Sequence, residues 1–128
     1  MLMTVPQPPS LKRWLAENQW KHRIILLYAP SASSPELTSQ RDILAADPSG
    51  LTERDLLVRE VTADQLSDED RAFLQQNLNT TGNTFRVLLI GKDGGVKVRK
   101  TSPIALKQLF GTIDGMYMRQ QEMKNRGR

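Results

Sequence analysis

The chain has 128 residues, of which 38% are hydrophobic and 25% charged, and its formal net charge is +4. This length suits one domain with a real core and is too short for two, and the composition is that of an ordinary globular protein. The absence of cysteine excludes disulfides, thiolate nucleophiles and thiolate metal sites. No apolar run approaches the roughly 20 residues that a membrane helix needs.

The first part of the chain predicts an extended segment, a helix and a strand. Residues 1–9 hold three prolines and should be extended and loosely held. Ser10 is a good N-cap for a helix from Leu11 to about Asn18. The unbroken apolar run Ile24–Ala29 predicts a strand that is buried on both faces.

A helix and a second strand follow. Ser34 and Pro35 are typical of a helix start, and this helix should end near Ala46 because Pro48 cannot continue it. The segment Asp55–Val61 carries three successive apolar residues, which predicts the second strand of the sheet.

The middle of the chain predicts a capped helix and a third strand. Ser67 is followed three residues later by Asp70, which resembles a capping box with the shorter acid in place of glutamate. The helix that it opens should end in the Asn- and Gly-containing stretch 77–83. The apolar run Phe85–Ile90 then predicts a strand.

The next segment predicts a hairpin. Asp93-Gly94 is the strongest hairpin signal in the chain. The segment Val96–Lys100 alternates strictly, which predicts a fourth strand with its two valines toward the core and with Lys97 and Arg99 on one solvent-facing side.

The last helix should begin at Ser102-Pro103, a cap followed by a proline, and end at Gly115. Its apolar stripe should pack against Leu88 or Ile90. Residues 119–128 are basic and polar and predict a flexible tail. The stripe has the spacing of one helix face and consists of Leu106, Leu109, Phe110 and Ile113.

This order of elements predicts an α/β, thioredoxin-like domain. The first β-α-β unit must be parallel with a right-handed crossover, and the last two strands form an antiparallel hairpin. The result is a four-stranded mixed sheet of order 2-1-3-4, with flanking helices and an extra N-terminal helix. A flavodoxin-like sheet is the alternative, but it needs five parallel strands. We therefore expect an extended segment at 1–9, the domain at 10–118 and the tail at 119–128.

Three stretches, WKHRIILLYAPS, VLLIGKDGGVKVR and FGTIDGMYMRQQEMK, also resemble a known family. They are similar to the bacterial domain of unknown function catalogued under the number 4174, the prokaryotic branch of the P-DUDES domains. The likeness covers roughly residues 20 to 124. It implies a thioredoxin-like, peroxiredoxin-related fold and no established activity.

The loop after the first strand is the first candidate binding site. In thioredoxins this loop carries the redox cysteines, because a helix N-terminus stabilises a thiolate. Here the loop offers only serines, Ser31, Ser33 and Ser34. A capping loop is the simpler interpretation, and anion binding at free backbone N–H groups is the alternative. Arg86 stands where thioredoxins have a cis-proline, so both halves of the redox site are absent.

The second candidate site is the basic hairpin with Lys92, Lys97 and Arg99. Residues 1–91 hold nine Lys or Arg and eleven Asp or Glu, a net charge of −2, whereas residues 92–128 hold nine and three, a net charge of +6. This asymmetry predicts contacts with acidic partners or polyanions. A solvated edge strand is the alternative interpretation. The scarcity of aromatic residues there argues against specific nucleic-acid binding.

These observations favour a non-catalytic binding module for a protein partner, with no cofactor, no metal site and no membrane span. The alternatives are a degenerate enzyme that uses the serine loop, and a polyanion-binding domain that uses the basic C-terminal third. The single histidine, His22, stands between Lys21 and Arg23, and we expect it to face solvent. The first residues lack the pattern of a signal peptide. We therefore expect a cytoplasmic chain as given, or a periplasmic or secreted one if a leader has been removed.

Overall fold

The computed structural model describes residues 10–126, in which four strands form one mixed sheet of order β2-β1-β3-β4. Strand β1 pairs in parallel with β2 and antiparallel with β3, and β3 pairs antiparallel with β4. The predicted sheet and its order are therefore confirmed. The extended segment expected at 1–9 lies outside the described residues. The strands are β1 (Arg23–Ala29), β2 (Leu56–Thr62), β3 (Arg86–Ile90) and β4 (Val96–Lys100).

Six α-helices flank this sheet in the described chain, and a 3₁₀ turn at Ala63–Gln65 follows β2. None of these helices is long and apolar enough to cross a membrane. The helices are α1 (Leu11–Asn18), α2 (Pro35–Ala45), α3 (Pro48–Glu53), α4 (Asp68–Asn77), α5 (Leu106–Asp114) and α6 (Tyr117–Asn125).

Strand β1 is the centre of two hydrophobic cores, because all seven of its residues are buried. Its side chains alternate between the two faces of the sheet. Ile25 and Leu27 belong to a core that α2 and α5 cover, which we call the first face. Leu26 and Tyr28 belong to a core that α1 and α4 cover, the second face.

The helix caps follow the predicted pattern with one change. The Ser10 and Ser67 hydroxyls accept hydrogen bonds from the third residue of their helices, at 3.2 and 3.1 Å. The Asp70 carboxylate, however, accepts from the amide of Leu11 at 2.9 Å. The predicted capping box is thus half made, and its acid joins α4 to the start of α1.

Helix α5 begins at Leu106, three residues after Pro103, the predicted first residue of the helix. The Gln40 side chain donates to the carbonyl of Ile104 at 3.0 Å and accepts from its amide at 2.7 Å. Ile104 is thereby held outside the helix. Leu109 and Ile113 are buried as predicted, but on the first face with Val87 and Leu89. The predicted contact with Leu88 or Ile90 is wrong, because those two residues face α1 and α4.

Two helices were not predicted. Pro48 was expected only to stop α2, yet it begins α3, whose N-cap Asp47 accepts from the amide of Gly50 at 3.0 Å. The expected flexible tail is wrong over residues 119–125, which belong to α6. Arg119 within it is only 2% exposed. The ion pairs that hold α6 are described below.

Strand β4 contains an irregularity that changes the direction of its side chains. Val96 and Val98 pair with successive residues of β3, so one extra residue, Lys97, lies between them. Such a bulge reverses the alternation. Val96 consequently packs on the second face and Val98 on the first. The prediction that both valines face the same core, and that Lys97 and Arg99 share one outer side, is wrong.

We predict that Leu109→Ala lowers the free energy of unfolding by about 2–5 kcal/mol, the usual loss for a buried leucine. The reason is that Leu109 is 3% exposed within the core of the first face. Lys107→Ala, an exposed position on the same helix, should change it by less than about 0.5 kcal/mol. Urea denaturation of both variants measures this. Equal losses would show that α5 does not pack as described.

Candidate functional site

The serine loop lies between the end of β1 and the start of α2. The hydroxyls of Ser31 and Ser33 are 3.0 Å apart, and the amide of Ser34 donates to the carbonyl of Ser31 at 3.2 Å. Ser34 is the N-cap of α2 and is buried, although its side chain makes no capping hydrogen bond. The structure thus brings the three predicted serines together in one turn.

Within the described residues, these serine hydroxyls are not hydrogen-bonded to a general base. His22 precedes β1, a strand that spans about 20 Å, and so lies at the opposite end of the sheet from the loop. Its Nδ1 is 3.0 Å from the side-chain oxygen of Asn18. Within residues 10–126, no hydrogen bond links a loop hydroxyl to a basic or acidic side chain. No group of three or more metal-binding side chains occurs there either.

Arg86 lies at the same end of the sheet as the serine loop, paired with Tyr28 in the ladder. The Tyr28 hydroxyl donates to the carbonyl of Gly82 at 2.6 Å. The Nε of Arg86 is buried and makes no hydrogen bond. A cleft of about 650 Å³ opens nearby along the end of β2 and the start of α4, but neither Ser33 nor Ser34 lines it. The cleft is lined by Arg59, Glu60, Glu69 and Asp70 together with Ala32 of the loop, and within the described residues no hydrogen bond joins these side chains to a loop serine.

The opposite end of the sheet, where β1 begins and β3 ends, is built from buried charges, and we call it the charged end. Arg23 holds the Glu122 carboxylate through two hydrogen bonds of 3.2 and 3.1 Å, and it also donates to the carbonyl of Arg54 at 2.9 Å. The Nζ of Lys92 lies 2.7 Å from Glu122 and 2.8 Å from Asp55. One carboxylate on α6 thus joins the start of β1 to the end of β3.

A second carboxylate extends the network to α5. The Asp114 carboxylate accepts two hydrogen bonds from Arg54, of 3.0 and 2.9 Å, and one of 3.0 Å from Arg119. Arg119 also donates to the carbonyl of Glu53 at 3.2 Å. The Arg54 guanidinium lies 3.9 Å from the centre of the Phe110 ring. These contacts explain why α6 is ordered and why its arginine is buried.

Burial and pairing act in opposite directions on these carboxyl groups. Burial disfavours ionisation, but hydrogen bonds from Arg23 and Lys92 outweigh it and hold the pKa of Glu122 below its ordinary value. The two arginines that flank Asp114 lower its pKa in the same way against burial. Both carboxylates are therefore ionised at neutral pH and neutralise cations that are mostly or fully buried.

The ion pairs of the charged end leave the predicted basic residues less available for binding than the sequence indicates. Lys92 is 8% exposed and pairs with Asp55 and Glu122, so it is not the freely exposed cation that the charge pattern predicts. Lys97 is exposed but pairs with Asp93 at 2.8 Å, and Arg99 donates to the carbonyl of Leu78. The structure therefore does not bring Lys92, Lys97 and Arg99 together as one binding face.

Three exposed apolar side chains belong to segments beside the turn after β3 at the charged end, Trp20 through a backbone contact with Lys92, and Tyr117 and Met118 through a pocket that Trp20 does not line. Trp20 is 62% exposed, Tyr117 68% and Met118 39%. The amide of Trp20 donates to the carbonyl of Lys92 at 2.6 Å. Tyr117 and Met118 line, with Lys92 and Asp93, a pocket of about 250 Å³. We call these three exposed residues the aromatic surface.

The sequence alone does not indicate that the aromatic surface is a site. The three residues come from two segments nearly a hundred positions apart, and no spacing rule connects such segments. One local signal was present, since Tyr117 and Met118 follow Gly115, where the helix was expected to stop.

Comparisons with known proteins bear on family and fold. The family model described as "Domain of unknown function (DUF4174)" matches residues 14–122. Coiled-coil domain-containing protein 80 of Danio rerio is 24% identical over 141 residues, an alignment that covers 91% of this chain and 16% of that protein. The chain thus spans about a sixth of this relative.

Solved structures with the same fold include peroxiredoxins and thioredoxin domains. The reduced 2-Cys peroxiredoxin of Plasmodium vivax has a TM-score of 0.63 at 13% identity, covering 84% of each chain. Plasmodium yoelii thioredoxin peroxidase I has a TM-score of 0.58 at 14% identity, covering 84% of this chain and 79% of that one. The first two thioredoxin domains of Saccharomyces cerevisiae Eps1p give 0.54 at 14%, covering 96% and 43%. At these identities the likeness establishes the fold alone, and it confirms the thioredoxin-like prediction.

We predict that Glu122→Gln destabilises the fold at pH 7 by about 3 kcal/mol, because it leaves the buried Arg23 without an ionic partner and removes one of the two carboxylates that pair with Lys92. A carboxyl with a lowered pKa in the folded state gives stability that is present above its unfolded pKa, near 4.3, and is lost as the pH falls through the folded value. The parent should therefore lose stability below about pH 4 more steeply than the variant. Urea melts from pH 7 to 2 measure this.

The control for this change is Glu69→Gln, which alters an exposed glutamate in the first turn of α4. It should leave the pH dependence close to that of the parent. If Glu122→Gln and Glu69→Gln gave the same curve, the network would not stabilise the fold through Glu122.

Proposed function

Because this chain belongs to the DUF4174 family of domains of unknown function and has a thioredoxin-like fold without cysteine, we propose that it is a non-catalytic module that binds a protein partner. The aromatic surface is the binding surface. The observation that carries this proposal is the gathering of an exposed tryptophan, tyrosine and methionine around one turn.

The residue types of the aromatic surface are those that supply binding energy. Trp and Tyr dominate the energetic centres of protein interfaces, and Met is enriched there as well. An aromatic side chain offers a large contact area with few rotatable bonds. Of the four large hydrophobic residues that are exposed in the described chain, three belong to this surface, and Val58 on β2 is the fourth.

The backbone of Trp20 also supports a role outside the core. Its φ angle is +70°, a left-handed conformation that costs a bulky residue about 1–2 kcal/mol. With 62% of its surface exposed, the side chain gains little packing in return. Strain at an exposed aromatic residue is typical of sites kept for binding.

Rigid support makes this surface suitable for docking. The two segments that carry it are attached to the sheet, Trp20 through its hydrogen bond to Lys92, and Tyr117 through the helix that Glu122 anchors. A surface that is ordered before binding loses less conformational entropy when the partner docks.

The absence of catalysis is also part of the proposal. The solved peroxiredoxin and thioredoxin structures share the fold, but this chain has no thiol, and in the described residues its loop serines make no hydrogen bond to a basic side chain. A serine hydroxyl needs an adjacent base to become a nucleophile.

We expect no disulfide reductase or peroxidase turnover from the purified protein. Insulin reduction and peroxide consumption should stay at the buffer rate, while a thioredoxin and a peroxiredoxin assayed alongside give full signals. Turnover that disappears when Ser31, Ser33 and Ser34 are changed to Ala would instead support the degenerate-enzyme alternative.

We predict that the double variant Trp20→Gly with Tyr117→Ser loses the partner. Recovery from a lysate of the native cells should fall at least tenfold, since two central aromatic residues commonly contribute about 2 kcal/mol each or more. Glycine suits the left-handed conformation at position 20, so folding should be preserved. Quantitative mass spectrometry of parent and variant eluates measures the change.

Val58→Ser is the matched control, because it removes an exposed apolar side chain on the edge strand β2, away from the aromatic surface. It should recover the partner as the parent does. Equal recovery by all three proteins would contradict the assignment of the aromatic surface.

A further inference from the structure

We infer that the partner presents an acidic segment with an apolar anchor residue to the aromatic surface. This inference rests on the proposed protein-binding function and adds the chemistry of the partner. It follows from the charges that the fold leaves free around the surface, together with the size of the pocket beside Tyr117.

The carboxylates near the aromatic surface are already engaged. Asp93 accepts from Lys97 at 2.8 Å and from the amide of Gly95 at 2.9 Å. Glu122 is held by two cations, as described above. A basic partner would therefore have to break existing pairs to find a carboxylate.

Two exposed lysines, in contrast, flank the surface without an ion pair to another described residue. Lys21 follows Trp20 directly in the chain. Lys124 lies seven residues after Tyr117 on α6, so Tyr117 and Lys124 lie on the same face of this helix, about 10 Å apart. Carboxylates of a partner can pair with these lysines at the rim of an apolar contact.

The net charge of the charged end also favours an acidic partner. The network and its rim contain eight basic and five acidic side chains, an excess of +3. The basic ones are Lys21, Arg23, Arg54, Lys92, Lys97, Arg119, Lys124 and Arg126, and the acidic ones are Glu53, Asp55, Asp93, Asp114 and Glu122. An excess of this sign attracts an acidic segment during encounter.

The pocket beside Tyr117 indicates what else the segment carries. Its volume of about 250 Å³ lies below the range of about 300–1,000 Å³ for small-molecule sites, so it suits one side chain better than a cofactor. Met116 and Met118 line it, and their flexible thioethers adapt to aliphatic or aromatic groups. The anchor of the partner is therefore a large apolar residue.

Two other occupants fit less well. A second copy would bring the same positive rim against itself, which is unfavourable. A nucleic acid or other polyanion needs a groove with a row of free cations along its backbone. Here the densest cations, Arg23, Lys92 and Arg119, are buried and paired.

The test is a selection from a random 12-residue peptide display library. The parent protein is the bait, and binders to the Trp20→Gly, Tyr117→Ser variant are removed first. We expect enriched peptides to combine Asp or Glu with Leu, Phe or Trp. Enrichment of basic peptides would overturn the acidic inference and leave protein binding at this surface intact. No enrichment, with tight binding of heparin or oligo-dT instead, would overturn both.

The best peptide is then measured by fluorescence anisotropy. Its Kd should rise about tenfold, or 1.4 kcal/mol, with Lys21→Glu plus Lys124→Glu, and this loss should shrink at high salt because exposed charges are screened. Tyr117→Ser should weaken binding at every salt concentration. Lys107→Glu reverses an exposed lysine on α5 and should have no effect. If the Kd of the Lys21→Glu plus Lys124→Glu variant equals that of the parent, the inference is overturned.

Discussion

The Glu122 carboxylate, shared between the guanidinium of Arg23 and the ammonium of Lys92, is the contact on which the charged end depends. It joins three separate elements, since Arg23 begins β1, Lys92 follows β3 and Glu122 lies on α6. Charges this deeply buried are tolerated only when each finds a partner of opposite sign. Release of α6 would leave the buried Arg23 without an ionic partner and Lys92 with Asp55 alone, and α6 carries two of the three residues of the aromatic surface.

Much of the fold was predictable because its signals are local. Continuous apolar runs identified β1 and β3, and Asp93-Gly94 marked the hairpin, where Gly94 has a φ angle of +87°. The failures came from contacts between distant residues. Gln40 delays the start of α5 through a hydrogen bond across 64 positions, and the Arg23–Glu122 pair spans 99. No periodicity in the sequence encodes either.

The candidate site was also hard to predict, because its geometry depends on contacts between residues that are distant in the sequence. A charge count along the chain does not distinguish exposed from buried lysines and arginines. In the structure, Lys92 and Arg119 are buried and form ion pairs with carboxylates inside the molecule. The bulge at Lys97 also changed the direction of the neighbouring side chains. A net charge of +6 over residues 92–128 was a correct count of residues, but only a fraction of it faces a partner.

The two ends of the sheet thus differ in the side chains that they offer for binding or catalysis. The serine loop keeps the position that holds cysteines in thioredoxins, yet it has no thiol, and in the described residues its hydroxyls make no hydrogen bond to a basic side chain. The charged end has a rigid base, exposed aromatic residues and free lysines at its rim. The buried cations beneath the pocket are paired with carboxylates. On the proposed binding mode, an apolar anchor beside Tyr117 therefore contacts a region without net charge. Lys21 and Lys124 at the rim then distinguish acidic from basic partners. Affinity and specificity would then come from different residues, the aromatic side chains for the first and the lysines for the second.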